Sequence, residues 1–128
     1  DEAEPLAVFH LDGLEAGPLQ LPVAAIIRGA AQAVAGGASP AEISASFHRT
    51  LLDLFLQVVL VAQRETGLSD VILGGGVFQN DILMRGMWLA LNDFELRPWR
   101  SLQCPPNDGV VALGQAMVAR ALLSDPQR

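Results

Sequence analysis

Hydrophobic positions recur with a helical period in several stretches of the chain, and the longest of these lies near its middle. It begins at Pro40 and ends before Gly67, with apolar residues three or four positions apart. Ser39 and Glu42 have the spacing of a capping box, with proline at the first helical position. Because further apolar residues widen the stripe nearly all round, we expect this helix to be central and buried.

Three shorter helices are predicted from the same period. One is VAAIIRGAAQAVA, which follows Pro22 and stops at the glycine pair 36–37. The second covers Gln79 to Leu91, and the third is VVALGQAMVARALL at 110–123. These segments would supply helices to cover a sheet.

Extended structure is predicted in three short runs. DVIL at 70–73 is rich in β-branched residues, and FELRPW at 94–99 contains Pro98, which limits it to an edge or a strand end. Leu6 to Leu11 form a weak edge strand, followed by a loop to residue 20. Alternation of strands and helices predicts one α/β domain over 1–128, with its core in 21–128 and a mixed or parallel sheet covered by helices.

Composition excludes several classes of protein. The chain has 128 residues, 51% of them hydrophobic and 17% charged, which predicts one folded core rather than disorder. The net charge is -6, and no basic run is interleaved with aromatic residues, so we expect no nucleic-acid partner.

Three features of the sequence indicate where in the cell the protein is expected. No apolar run approaches the roughly 18 residues of a membrane span, so we expect no membrane segment. The acidic start has no positive signal-peptide region, and the single Cys104 suits a reducing cytoplasm. Since the first residue is Asp1 rather than Met, we expect a processed product or a piece of a longer protein.

A glycine cluster is the clearest candidate for chemistry. Gly74, Gly75 and Gly76 lie between a predicted strand and a predicted helix, where backbone N–H groups can approach a phosphate. The spacing is neither a Rossmann fingerprint, since Gln79 stands at the third glycine position, nor a P-loop. A tight turn without a ligand fits equally well, and Gln79 and Asn80 fit surface or capping residues.

Other candidate residues have simpler interpretations. Asn107 or Asp108 can cap the last helix, although a carboxylate at such a junction can also bind a metal. His10 and His48 show no metal-ligand spacing, and His48 fits a hydrogen-bonded core histidine better than a catalytic one. Cys104 is interpreted as a small buried side chain with a structural role.

Two segments resemble one known family. VILGGGVFQNDIL at 71–83 and CPPNDGVVALGQA at 104–116 resemble the C-terminal part of the HypF family, the hydrogenase maturation carbamoyltransferases. PAEISASFHRTLLDL at 40–54 is similar to the helix that precedes the glycine loop in that family, where a Phe-His pair is usual. The family usually has serine where this chain has Gly74 and glycine where it has Val110.

The resemblance implies a fold and a set of site residues. The fold would be the second lobe of an actin-like fold of the ASKHA, Kae1-like type. The loop Gly74, Gly75 and Gly76, together with Asn80, would bind the nucleotide of a carbamoyl-adenylate. Asp108 would be one ligand of a divalent metal, iron or zinc, and the remaining ligands would come from the upstream lobe of the same enzyme.

The implied reaction uses ATP and carbamoyl phosphate to form carbamoyl-adenylate. The carbamoyl group then passes to a cysteine of a hydrogenase maturation protein, on the route to the cyanide ligands of nickel-iron hydrogenases. Alternatives are a small-molecule O-carbamoyltransferase fragment and a non-catalytic nucleotide-binding or interaction module. The related tRNA-modifying branch would need a basic face, which the charge of -6 disfavours. Because only one metal ligand is at hand, we expect the isolated chain to be inactive.

Overall fold

Four helices and two strands make up the regular structure of the part of the chain that our computed structural model describes, residues 3–9 and 20–124. In chain order they are α1 (Val23–Ala35), α2 (Pro40–Thr66), β1 (Asp70–Leu73), α3 (Asp81–Asp93), β2 (Arg97–Arg100) and α4 (Val111–Leu123). Single 3₁₀ turns at Gly76–Gln79 and Asp108–Val110 precede α3 and α4.

The start of α2 is the predicted capping box. The Ser39 hydroxyl accepts a hydrogen bond from the Glu42 backbone N–H at 3.3 Å, and the Glu42 carboxylate accepts one from the Ser39 N–H at 2.8 Å. These bonds stabilise the ionised carboxyl and lower the pKa of Glu42. The helix ends where Gly67 adopts a φ of +71°, a left-handed conformation that glycine tolerates. Both predicted ends of this helix are confirmed.

The prediction that α2 is buried nearly all round is wrong. Of its residues only Thr50, Leu54 and Val61 are buried, while Phe47 is 39% exposed. The reason is that α1 and α3 pack against parts of its circumference and leave the rest open. By length and mean hydropathy alone α2 could cross a membrane. Since it packs against both α1 and α3, we interpret it as the central helix of this domain.

The sheet is parallel, as predicted, and has two strands in the described ranges. β1 and β2 pair with Asp70 opposite Arg97 and Ile72 opposite Trp99. One face of the sheet packs on α3, which also packs on α2. The other face is open, since Ile72 is 80% and Trp99 is 58% exposed. Helices therefore cover the sheet on one side within the described residues. The buried cluster consists of Leu73, Met84, Met87, Leu91 and Leu96.

The N-terminal segment takes a different form from the predicted edge strand. Residues 6–9 are not a strand, and the last two residues of the prediction, His10 and Leu11, lie outside the described residues. The Leu6 N–H donates to the Thr50 hydroxyl at 2.8 Å instead of to a neighbouring strand. Gly29 allows this approach, because a Cβ there would lie 2.5 Å from the Leu6 carbonyl oxygen. A side chain of α2, not a strand, therefore holds this segment.

The last helix does not cover the sheet as predicted. α4 begins at Val111, one residue later than expected, and every one of its residues is exposed. Its apolar side chains Leu113, Met117 and Leu122 are each more than half exposed, at 53%, 56% and 52%. The helical period is present in the sequence, but burial against the described residues does not stabilise this helix.

Candidate functional site

The glycine loop leaves β1 with its backbone open to solvent. Leu73 ends the strand in the core at 4% exposure, and the next three glycines are exposed. A Cβ added at Gly74, Gly75 or Gly76 would meet no atom within 4 Å. Gly75 has φ +94° and ψ 160°, a conformation that is essentially restricted to glycine. Gly75 is therefore required by the backbone path rather than by a neighbouring side chain.

A 3₁₀ turn connects the loop to α3 and fixes it to the core. The Phe78 N–H donates to the Gly75 carbonyl at 3.1 Å, which closes the first turn. The Phe78 ring packs against the buried cluster and lies 6.5 Å, centroid to centroid, from Phe55 of α2. The open loop is thus anchored at both ends, by Leu73 on one side and Phe78 on the other.

Asn80 is the N-cap of α3. Its Oδ1 accepts hydrogen bonds from the backbone N–H groups of Ile82 at 3.0 Å and Leu83 at 3.3 Å. The helix therefore starts at Asp81, and the prediction of a helix from Gln79 is wrong by two residues, because the 3₁₀ turn occupies Gly76–Gln79. The capping interpretation of Asn80 is confirmed, and its role as a nucleotide contact stays a prediction.

The sequence did not indicate that α2 supplies a side chain to this site. The Asn80 Nδ2 amide donates to Nε2 of His48 at 2.9 Å, across 32 residues of sequence. Nδ1 of His48 lies 2.7 Å from the Ser44 carbonyl oxygen. His48 is hydrogen-bonded as predicted, but it is half-buried rather than part of the core. The Phe-His pair within 40–54 was the signal that could have pointed to it.

Asp108 is the first residue of the second 3₁₀ turn, and the preceding residue, Asn107, caps this turn. Asn107 Oδ1 accepts from the Gly109 N–H at 3.0 Å, while the exposed Asp108 carboxylate has no hydrogen-bond or ion-pair partner within 3–9 and 20–124. Those same ranges contain no group of three His, Cys, Asp or Glu residues that could hold a metal. The role of Asp108 as a metal ligand therefore stays a prediction.

Cys104, close to Asp108, is less buried than predicted. Its side chain is partly exposed, and its backbone N–H donates to the Ser101 hydroxyl at 3.1 Å. Leu102 and Pro105, which lie on either side of it, are exposed, so this turn faces solvent. A small buried side chain is thus the wrong description, and its structural role stays a prediction.

Comparison with known proteins shows the family to which this chain belongs. A family model described as "Carbamoyltransferase, Kae1-like Domain, second subdomain" matches residues 4–115. The chain belongs to the HypF carbamoyltransferase family. The predicted resemblance and the predicted Kae1-like fold are confirmed by this match and by the structures below.

Individual HypF proteins cover the same region. The chain is 36% identical over 88 residues to carbamoyltransferase HypF2 of Cupriavidus necator, which is 69% of this chain and 11% of that protein. It is 36% identical over 75 residues to carbamoyltransferase HypF of Synechocystis sp., 59% of this chain and 9% of that protein. The chain thus spans about a tenth of the length of these curated relatives.

Solved HypF structures have the same fold. A crystal structure of full-length HypF in the phosphate- and nucleotide-bound form superposes with a TM-score of 0.71 at 32% identity, covering 79% of this chain and 13% of that one. The crystal structure of T. kodakarensis HypF gives a TM-score of 0.67 at 25% identity, covering 88% and 15%. The described elements therefore form a HypF-type subdomain.

Proposed function

We propose that this chain supplies the nucleotide-binding half of the cleft of an ATP-dependent carbamoyltransferase. Hydrolysis of carbamoyl phosphate gives carbamate and phosphate. A carbamate oxygen then attacks the α-phosphorus of ATP, which forms carbamoyl-adenylate and releases pyrophosphate. The thiol of a cysteine in a hydrogenase maturation protein then attacks the carbamoyl carbon, and AMP leaves. The upstream lobe of the same enzyme forms the other wall of the cleft. The reaction takes place in the cytoplasm, where the acceptor thiol stays reduced.

The observation that carries this proposal is the exposed backbone at Gly75. The N–H groups of Gly75 and Gly76 have no protein acceptor among residues 3–9 and 20–124. Unpaired N–H groups between a strand and a helix attract phosphate oxygens, since they supply hydrogen bonds and a favourable dipole. The glycines also leave no side chain to block the approach. Among the relatives, one HypF crystal structure is of a phosphate- and nucleotide-bound form, which supports this assignment.

Asp108 contributes to the same cleft as one ligand of a divalent metal. Its carboxylate is exposed and unpaired in the described ranges, and carboxylate oxygen is a suitable donor for iron or zinc. When bound, such a cation supplies Lewis-acid polarisation of a carbonyl oxygen. Since the described residues provide no complete ligand set, the remaining ligands belong to the upstream lobe.

The test is the substitution Gly75→Val in the protein as the cell makes it. A Cβ with two methyl groups forces the loop out of its φ of +94°, so ATP binding and carbamoyl-adenylate formation should both be lost. Titration calorimetry with ATP and detection of the adenylate measure the two losses.

Gly37→Val is the matched control. Gly37 also has a positive φ, +84°, with open space around it, but it lies between α1 and α2, away from the loop. This variant likewise places a valine at a positive φ and should bind ATP as the wild type does. Unchanged ATP affinity in a folded Gly75→Val protein would refute the proposed site.

A further inference from the structure

The hydrogen bonds of His48 define the state of its imidazole ring. Nδ1 lies 2.7 Å from the Ser44 carbonyl oxygen, which can only accept, so Nδ1 carries the proton. Nε2 lies 2.9 Å from Nδ2 of Asn80. Because Asn80 Oδ1 caps α3, the group that faces His48 is the NH₂, which can only donate. Both contacts are satisfied together by one species, the neutral ring with hydrogen on Nδ1.

The same bonds fix what Asn80 can offer to a ligand. Its Oδ1 is used twice, by the N–H groups of Ile82 and Leu83, and one Nδ2–H is used by His48. The second Nδ2–H has no protein partner in the ranges 3–9 and 20–124. Asn80 therefore presents a hydrogen-bond donor, and its acceptor oxygen is already occupied by the helix.

The position of this pair relates it to the glycine loop. Asn80 ends the 3₁₀ turn Gly76–Gln79, and its own N–H donates to the Val77 carbonyl at 3.1 Å. α2 is anchored independently, since it packs against both α1 and α3 and buries Leu54 and Val61. A hydrogen bond from Asn80 to His48 thus ties the exit of the loop to the central helix.

We infer that His48 is a positioning residue, which holds the Asn80 amide in the orientation that directs an N–H donor to an acceptor oxygen of the bound nucleotide. The acceptor is a phosphate or ribose oxygen. This inference rests on the proposed function, because it takes the glycine loop to be the nucleotide site. In this arrangement His48 does not donate a proton to substrate, because its Nδ1–H donates to the Ser44 carbonyl and its Nε2 accepts from the Asn80 amide.

Two substitutions separate the acceptor at Nε2 from the bulk of the ring. His48→Gln places an amide oxygen near the position of Nε2 and keeps the bond from Asn80, whereas His48→Leu has no acceptor. In the protein as the cell makes it, His48→Leu should weaken ATP binding about tenfold, the effect of one lost hydrogen bond of ordinary strength. His48→Gln should bind ATP within about twofold of wild type. Titration with ATP measures both, and thermal unfolding checks that the variants fold.

A spectroscopic readout tests the geometry itself. The ¹⁵N chemical shifts of His48 in the wild-type protein should show a protonated Nδ1 and an unprotonated Nε2. The side-chain NH₂ signals of Asn80 should shift in His48→Leu and should be largely restored in His48→Gln. Protonation at Nε2 in the wild type would overturn the inference.

The outcomes distinguish this inference from the proposed function. Wild-type affinity in His48→Leu, together with lost affinity in Gly75→Val, would overturn the role of His48 and leave the loop site standing. Equal weakening in His48→Gln and His48→Leu would overturn the role of the Nε2 acceptor. No binding of ATP by the wild-type protein would overturn both proposals. Weakening in His48→Leu with rescue in His48→Gln supports the inference.

Discussion

Arg97 of β2 forms a bidentate ion pair with Asp70 of β1. Its Nε and Nη2 atoms donate to the two carboxylate oxygens of Asp70, both at 2.7 Å, and the two residues are register partners. The indole Nε1 of Trp99 also donates to Asp70, at 2.8 Å. The Arg97 hydrogen bonds, and then that of Trp99, hold the pKa of Asp70 well below its ordinary value of 3.8. One carboxylate thus joins β1 to two residues of β2 on the open face of the sheet.

The stability contributed by Asp70 should depend on pH. A carboxyl whose pKa is lower in the folded state stabilises that state above its unfolded pKa, and the contribution is lost as pH falls through the folded pKa. The difference in urea resistance between the wild type and Asp70→Asn should therefore be constant above about pH 5 and should shrink below pH 3.8. Urea unfolding at several pH values measures it.

Asp81→Asn is the control for this experiment. Asp81 pairs with Arg85 at 3.7 Å within one exposed helical turn, with side chains 81% and 79% exposed, so its removal should have little effect at any pH. Because Asp70 and Arg97 are also more than half exposed, added salt should reduce the Asp70 effect as well. A difference that grows on acidification would contradict the prediction.

Thr50 holds the N-terminal segment on α2. It is fully buried, and its hydroxyl accepts from the Leu6 N–H while donating to the Ser46 carbonyl. Thr50→Val keeps the side-chain shape but leaves the Leu6 N–H without its partner, so it should lower the free energy of unfolding by about 1–3 kcal/mol. Urea unfolding measures the loss.

Thr66 provides a matched comparison for Thr50. Its hydroxyl makes the same kind of bonds, donating to the Ala62 carbonyl at 2.7 Å and accepting from the Leu68 N–H at 3.2 Å, but at the exposed end of α2. Water can replace the lost partner there, and Thr66→Val should cost less than about 0.5 kcal/mol. If Thr50→Val and Thr66→Val lower the free energy of unfolding equally, burial of the hydrogen bond to Leu6 does not determine the cost of losing it.

Local signals in the sequence predicted the elements well. The capping box at Ser39 and the glycine at 67 set the two ends of α2, because each end depends on residues within one turn. β1 and the glycine loop were likewise predicted from short patterns. β2 is Arg97–Arg100 rather than the predicted 94–99, because Phe94 still caps α3 and Glu95 has a left-handed φ of +58°, which an extended strand does not contain. The family resemblance added the fold, which these patterns alone left as an α/β layer.

Features that depend on distant residues could not be predicted. The bond between His48 and Asn80 joins positions 32 residues apart, and although the Phe-His pair marks His48, no local pattern specifies Asn80 as its partner. The exposure of Phe47 could not be read from a helical period, because a period shows which side chains are apolar but not how many neighbours surround them. Leu6 bonds to a threonine hydroxyl rather than to a strand for the same reason.

The roles of Asn107 and Asp108 should separate cleanly by mutation. Asn107 is the cap, since its Oδ1 accepts from the Gly109 N–H at 3.0 Å, whereas the Asp108 carboxylate is exposed and makes no bond within the described ranges. Asn107→Ala should therefore lower the free energy of unfolding by about 1 kcal/mol. Asp108→Ala should change it by less than about 0.5 kcal/mol, as expected for a surface position.

The metal content of these two variants should change in the opposite order to their stability. If Asp108 is a ligand together with residues of the upstream lobe, Asp108→Ala in the protein as the cell makes it should lower bound iron or zinc by tenfold or more, a typical order for disturbing a metal site. Asn107→Ala should retain the metal, because removal of the Asn107 side chain affects only the cap of the 3₁₀ turn Asp108–Val110. Elemental analysis of both purified variants, beside their unfolding curves, measures the two effects. Stoichiometric metal in Asp108→Ala would remove Asp108 from the ligand set, since its carboxylate has no structural bond through which it could act instead.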